Sequence, residues 1–240
     1  METDLYLIRH AQSFANVEPI VGGMKGDAGL TPLGRQQAAR LESRLRAGGI
    51  QARHLYASTL PRALQTAEYV SRALGLPITP DDELQELRVG EADALSSEEY
   101  RARYPRPGDQ SFSGDFFDPF GPGFPSHPFA PGGESWETHL ERAGAALTRL
   151  VQSHPGDTVV AVTHGGNLRV AFFLAFGLAA AQGNRMRFLP TNTGMSHWRY
   201  HHASPDRLAS WTIISFNDAA HLDVSWDHHE PLITGPSGER

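Results

Sequence analysis

Short apolar runs that alternate with helix-spaced stretches restrict the possible folds of this chain more than any other feature. "DLYLIRH" (4–10) and "DTVVAVTH" (157–164) are continuous apolar runs with β-branched and aromatic character, which suits strands buried on both faces. Between them, "LTPLGRQQAARLESRLRAGG" carries Thr31 as a cap, Pro32 at the first helical position, Ala38, Leu41 and Leu45 on one face, and Gly48–Gly49 as a stop. "HLYAS" is a second short strand. Pro61 then opens another helix, with Ala63, Ala67, Val70 and Leu74 at helical spacing before Gly75. Trp136, Leu140, Ala143, Leu147 and Leu150 form a further helical stripe, and "NLRVAFFLAFG" is an apolar helix after the late strand. The implied fold is α/β, a three-layer α/β/α arrangement around a mainly parallel sheet. "GMSHWRYH" and "SWTIISF" add two adjacent strands at or near an edge.

A length of 240 residues fits one such domain with an insertion. The domain is expected over 1–226, with a cap or lid inserted at 105–133 and a flexible tail at 227–240. Within the insertion, periodicity gives way to prolines, glycines and six phenylalanines, Phe112, Phe116, Phe117, Phe120, Phe124 and Phe129. Phe116 and Phe117, flanked by Asp115 and Asp118, are the candidates to touch the organic part of a ligand.

Composition excludes several classes of function. No stretch approaches the roughly 20 apolar residues of a membrane helix, and no secretion-type leader opens the chain, so a cytoplasmic protein is expected, with no membrane partner. With no cysteine there is neither a disulfide nor a thiolate metal site. A net charge of -6 without a basic run argues against nucleic acid as a partner. A small anionic ligand needs only a few converging cations.

Those cations are suggested by how two strands end. "LYLI" runs into Arg9-His10 and "TVVAV" into Thr163-His164-Gly165-Gly166. In a parallel sheet both ends fall on one edge, where open α/β folds bind ligands. Arg62 stands at the start of the helix after "YAS", where it opposes the helix dipole unless an anion sits nearby. A carboxylate from "PDDELQELRVGEAD" could reach the same edge as an acid/base group, with Glu83, Glu86 and Glu91 as candidates.

The Arg9-His10 pair with Ser13 and Asn16, "GDAGLTPLGRQQA", "STLPRALQTAE", "LQELRVG", "GGESW", "VTHGGNLR" and "NDAAHL" together resemble the histidine phosphatase superfamily, also called the phosphoglycerate mutase-like family, in its phosphatase branch. The matches run in family order from Leu5 to about Leu222. The resemblance implies that His10 is the nucleophile and that Glu86 is the proton donor. It implies too that Arg9, Arg62 and His164 hold the phosphoryl oxygens, with Asn16 a further contact. It implies hydrolysis of a small phosphate monoester through phosphohistidine, with no cofactor and no metal, and a possible homodimer.

Two departures from the family pattern bear on this. Many phosphatase members carry Trp-Glu-Gly after the acid segment, where this chain has Glu91-Ala92-Asp93. Mutases carry a basic pair in the insertion, whereas Arg101, Arg103 and Arg106 are scattered before an aromatic one, which favours hydrolysis. The alternatives are a mutase-type phosphoryl transfer, a non-catalytic phosphoester-binding module of the same fold, and a metal-dependent hydrolase. The last would use the crowded His221, Asp223, Asp227, His228 and His229, and the same reading extends to His201 and His202. Their spacing matches no standard zinc motif.

Overall fold

The computed structural model describes residues 1–105, 126–185 and 189–222. Its strands are β1 (Glu2–Arg9), β2 (His54–Ser58), β3 (Ile78–Asp81), β4 (Thr158–Thr163), β5 (Met195–His201) and β6 (Ser210–Asp218). Among the described residues they form one six-stranded sheet in the order β3-β2-β4-β1-β5-β6. β1, β2, β3 and β4 are parallel; β5 runs antiparallel to β1, and β6 antiparallel to β5 at the edge. The late pair of strands is therefore adjacent as expected, with β5 inside the sheet.

The helices are α1 (Phe14–Val17), α2 (Pro32–Arg46), α3 (Pro61–Leu74), α4 (Ser97–Arg103), α5 (Trp136–Gln152) and α6 (Gly165–Phe176). Leu5, Leu7, Val159 and Ala161 face Trp136, Leu147, Val151 and Phe173 of α5 and α6. Ile8, Val160 and Val162 face Leu41, Leu45, Ala67 and Val70 of α2 and α3 on the other side. Helices on both faces explain why the strand runs show no polar alternation: each successive side chain enters a different core. A fully buried Leu or Ile contributes roughly 1.5–3 kcal/mol, so these two layers fix which strands lie side by side.

Local signals set the helix ends. The Thr31 hydroxyl accepts from the Gly34 amide, and Pro32 needs no partner at the first position. Gly34 also lets α2 sit against the segment after β1, since a Cβ there would lie 1.9 Å from the Gln12 carbonyl oxygen. α3 ends on Gly75 in the left-handed region, φ 67°. The sequence reading passes over β3, α1 and α4, which are short and weakly periodic.

Of the insertion, residues 105 and 126–133 are described, and Phe129 in it is buried, stacked on Tyr100 at 4.5 Å between ring centroids. Phe116 and Phe117 lie outside the described residues, as does the tail at 227–240. No helix among the described residues is long and apolar enough to cross a membrane.

Candidate active site

Parallel pairing of β1 with β4 sets Arg9 opposite Thr163, so the residues that follow, His10 and His164, leave the sheet side by side. The His10 amide donates to the Thr163 carbonyl at 2.8 Å, and the two rings lie 5.1 Å apart. Both are buried. The matching strand ends seen in the sequence therefore do converge.

His10 has a defined tautomer. Arg62 Nε, which can only donate, lies 3.2 Å from His10 Nε2, so Nε2 carries the lone pair. The proton is on Nδ1, which donates to the Ala11 carbonyl at 2.7 Å. Burial, with Arg62 and Arg9 adding to it, holds the His10 pKa well below that of a free imidazole, so the ring is neutral at pH 7. Burial likewise lowers that of His164, helped by Arg62 and His10. His164 Nε2 bonds the Ser58 hydroxyl at 2.7 Å, and its buried Nδ1 has no hydrogen-bond partner.

Arg62 points inward. Its side chain is 5% exposed and pairs with that of Asp27, 0% exposed, at 2.9 Å. Asp27 also accepts from the Arg62 amide at 3.1 Å and the Gly29 amide at 2.8 Å. Arg62 Nη1 donates to the Gly22 carbonyl as well. Sequence reasoning passed over Asp27, because nothing in "KGDAGL" distinguishes a charge partner from a turn residue. Arg9 is partly buried, its Nε enclosed without a partner, and Nη1 donates to the Pro190 carbonyl. Burial pushes the Arg9 pKa down to about 10, against the pull of Glu86, leaving it charged at neutral pH.

The segment before β5 braces this pair. Asn192 Nδ2 donates to the His10 carbonyl at 2.9 Å and reaches the Asn16 side-chain oxygen at 3.4 Å. That oxygen also accepts from the Ser13 amide at 3.0 Å, which fixes Asn16 beside the site. Thr193, a β-branched residue at φ 60°, donates its amide to the Arg9 carbonyl. Such backbone costs of order 1–3 kcal/mol and persists only where surroundings enforce it; here His221 bonds its hydroxyl at 2.8 Å. Asn192 and Thr193 were also missed, since their contribution lies in backbone bracing.

The three acidic candidates separate in space. Glu83 bonds Arg88, and Glu91 bonds Arg103 and Tyr104 at the surface. Glu86 alone of the three reaches the helix that follows His164: its Oε2 accepts from the Gly166 amide at 2.9 Å and its Oε1 from the Leu87 amide at 3.0 Å. Glycine at 166 leaves room for that carboxylate, because a Cβ would lie 2.0 Å from Glu86 Oε1. The Glu86 segment is held by Arg142, which donates to the carbonyls of Glu83, Gln85 and Glu86 and pairs with Glu134 at 2.6 Å. Burial opposes ionisation of Glu134, but Arg142 and the Arg88 amide more than offset it and hold the carboxyl below the usual range.

A cleft of about 240 Å³ opens beside Glu86, lined by Gly22, Met24, Leu60, Arg88 and Asp93 among others. Another of similar volume, about 240 Å³, between the end of α2 and β5 contains none of the candidate residues. His221 bonds Thr193 and Arg44, His201 bonds Thr212, and His202 bonds Thr3, so these histidines do not converge. Asp223, Asp227, His228 and His229 lie outside the described residues. At the far end of the sheet His54, His154 and Asp157 lie close together. The two rings stack 3.7 Å apart at 22°, however, so their in-plane lone pairs run side by side instead of meeting.

The result is an α/β protein that gathers Arg9, His10, Arg62 and His164 at the carboxyl edge of its parallel strands. The profile of the histidine phosphatase superfamily (branch 1) matches residues 5–214. The probable phosphoglycerate mutase GpmB of Salmonella paratyphi B is 32% identical over 226 residues, covering 92% of this chain and 95% of that protein. Bacillus stearothermophilus YhfR superposes with a TM-score of 0.70 at 30% identity, over 91% of this chain and 98% of that one. A mycobacterial glucosyl-3-phosphoglycerate phosphatase shares the fold, with a TM-score of 0.71 at 23% identity over 91% of this chain and 100% of its own. The chain belongs to the histidine phosphatase superfamily.

Proposed function

We propose that this protein is a phosphatase that hydrolyses a small phosphate monoester through a phosphohistidine at His10. The observation that carries the reading is the buried neutral imidazole with its lone pair on Nε2, bonded by Arg62 and next to Arg9 in the chain. Nε2 attacks phosphorus, the N–P bond forms, and the bond to the alcohol oxygen breaks. Glu86 gives that oxygen its proton. Arg9, Arg62 and His164 hold the phosphoryl oxygens, with Asn16 beside them, and the Arg62 Nε–H turns from His10 to the ligand. Water then attacks the phosphohistidine, the Glu86 carboxylate takes its proton, and inorganic phosphate leaves with His10 neutral again. The organic part of the ester occupies the cleft beside Glu86.

The name of the Salmonella relative favours a second reading, a mutase-type transfer. Against it, Arg101 is exposed and Arg103 bonds Glu91 at the surface, while Arg106 lies outside the described residues. Supplied with a phosphoglycerate, the protein should release phosphate and leave no isomer. Rapid-quench labelling in EDTA should trap an acid-labile, base-stable adduct that His10→Ala lacks. An adduct surviving in that variant, or none in the parent, refutes the proposal.

A further inference from the structure

Behind Glu86 stands a histidine that the reaction as written does not use. His139, in the first turn of α5, is wholly buried, with its ring 5.4 Å from that of Trp136. Arg142 Nη2, 3.0 Å from His139 Nδ1, can only donate and shares its two N–H groups among Nδ1, Glu134 Oε2 and the Glu86 carbonyl, so Nδ1 accepts and the ring proton sits on Nε2. Glu134 Oε2, at 3.6 Å from Nδ1, is beyond hydrogen-bond range. Nε2 is buried without a partner and lies 3.7 Å from Glu86 Oε1. A Cβ at Gly166 would meet both, 2.0 Å from Oε1 and 3.1 Å from Nε2, so glycine there is what lets the carboxyl and the imidazole approach.

An unsatisfied buried N–H is rare and costly, so its placement calls for a reason. Glu86 supplies one. Its carboxylate has about four acceptor positions, and the amides of Leu87 and Gly166 fill two. A carboxyl group that loses its proton gains acceptor capacity on the side facing Nε2. A movement of under about 1 Å brings the pair into the range of a charge-assisted bond.

We propose that His139 is a positioning residue for Glu86: its Nε2–H closes on Oε1 as the carboxyl group gives up its proton, and so promotes proton transfer to the leaving oxygen. The inference rests on Glu86 being the proton donor. Arg142, tied to Glu134, occupies Nδ1 and so directs the N–H forward. His139 touches neither substrate nor phosphorus and acts only through Glu86.

The test is the dependence of rate on leaving group. His139→Leu and His139→Phe remove the N–H, the phenyl ring also retaining contact with Trp136; His139→Gln retains a donor. Both apolar variants should lose about tenfold in kcat for an alkyl phosphate and less than about threefold for p-nitrophenyl phosphate, whose oxygen leaves without a proton. KM should hold, and His139→Gln should recover most of the loss. Glu86→Gln, assayed in parallel, separates the two levels. If Glu86→Gln lacks the leaving-group preference, the acid assignment fails and this inference with it. If Glu86→Gln shows the preference but the apolar His139 variants lose equally on both esters, track only a lower melting temperature, or gain nothing from glutamine, His139 is merely packing and the proposal is overturned.

Discussion

Asp27→Ala tests how far the site depends on a charge that never meets the ligand. The carboxylate is 0% exposed and holds three donors: Arg62 Nη1 at 2.9 Å, the Arg62 amide at 3.1 Å and the Gly29 amide at 2.8 Å. Its removal leaves a guanidinium buried without its counter-charge and two amides without acceptors. Breaking a buried pair from one side costs about 3–5 kcal/mol. For a chain of this size that lowers the melting temperature by about 6–20 °C. Turnover should suffer less than from losing the guanidinium itself, which costs about 10²–10³ in kcat/KM. The charge remains but its aim is lost, so a fall of about tenfold to a hundredfold is expected. Inorganic phosphate should raise the melting temperature of Asp27→Ala more than that of the parent, because the anion supplies the missing negative charge. Thermal melts with and without phosphate, and kinetics of Asp27→Ala, Arg62→Ala and the double variant, measure all of this. The reasoning is refuted if Asp27→Ala is within about 1 kcal/mol of the parent and its effect adds to that of Arg62→Ala, since contacting residues should couple.

Gly166→Ala is expected to fold, because the displaced neighbour is a side-chain carboxylate, yet to push Glu86 off its amide donors. Alkyl phosphate turnover should fall at least about tenfold more than p-nitrophenyl phosphate turnover, and equal losses on both would count against the placement of Glu86. Acid should destabilise the fold from about pH 6.5 downward. His10 and His164 have folded pKa values well below 6.5, so the unfolded chain binds the extra protons as pH drops through 6.5. Each group takes away up to about 1.4 kcal/mol per pH unit over that window. Melting temperatures from pH 7.5 to 5 should fall with a slope that His164→Gln makes shallower; an unchanged slope would mean His164 is protonated in the fold.

Every strand but β3, the long helices and the convergence of two histidines were legible in the sequence because each depends on local pattern. Continuous apolar runs require cover on both faces, and helices on both faces require parallel strands whose ends share an edge. Arg9, His10 and His164 follow from that edge with no further information. The family resemblance added Glu86 by motif order, while its neighbours Glu83 and Glu91 were equal by residue type. What separated them was packing: Arg142 and the Gly166 amide hold one carboxylate at the site, while Arg88 and Arg103 engage the others at the surface. Asp27, Asn192, Thr193 and His139 were invisible for the same reason. Each acts on a residue 35 or more positions away or through a backbone group, and no local pattern encodes a partner that distant. Chain chemistry placed His10 at a strand end; which nitrogen carries its proton, and which carboxylate lies against the helix after His164, was decided by tertiary contacts.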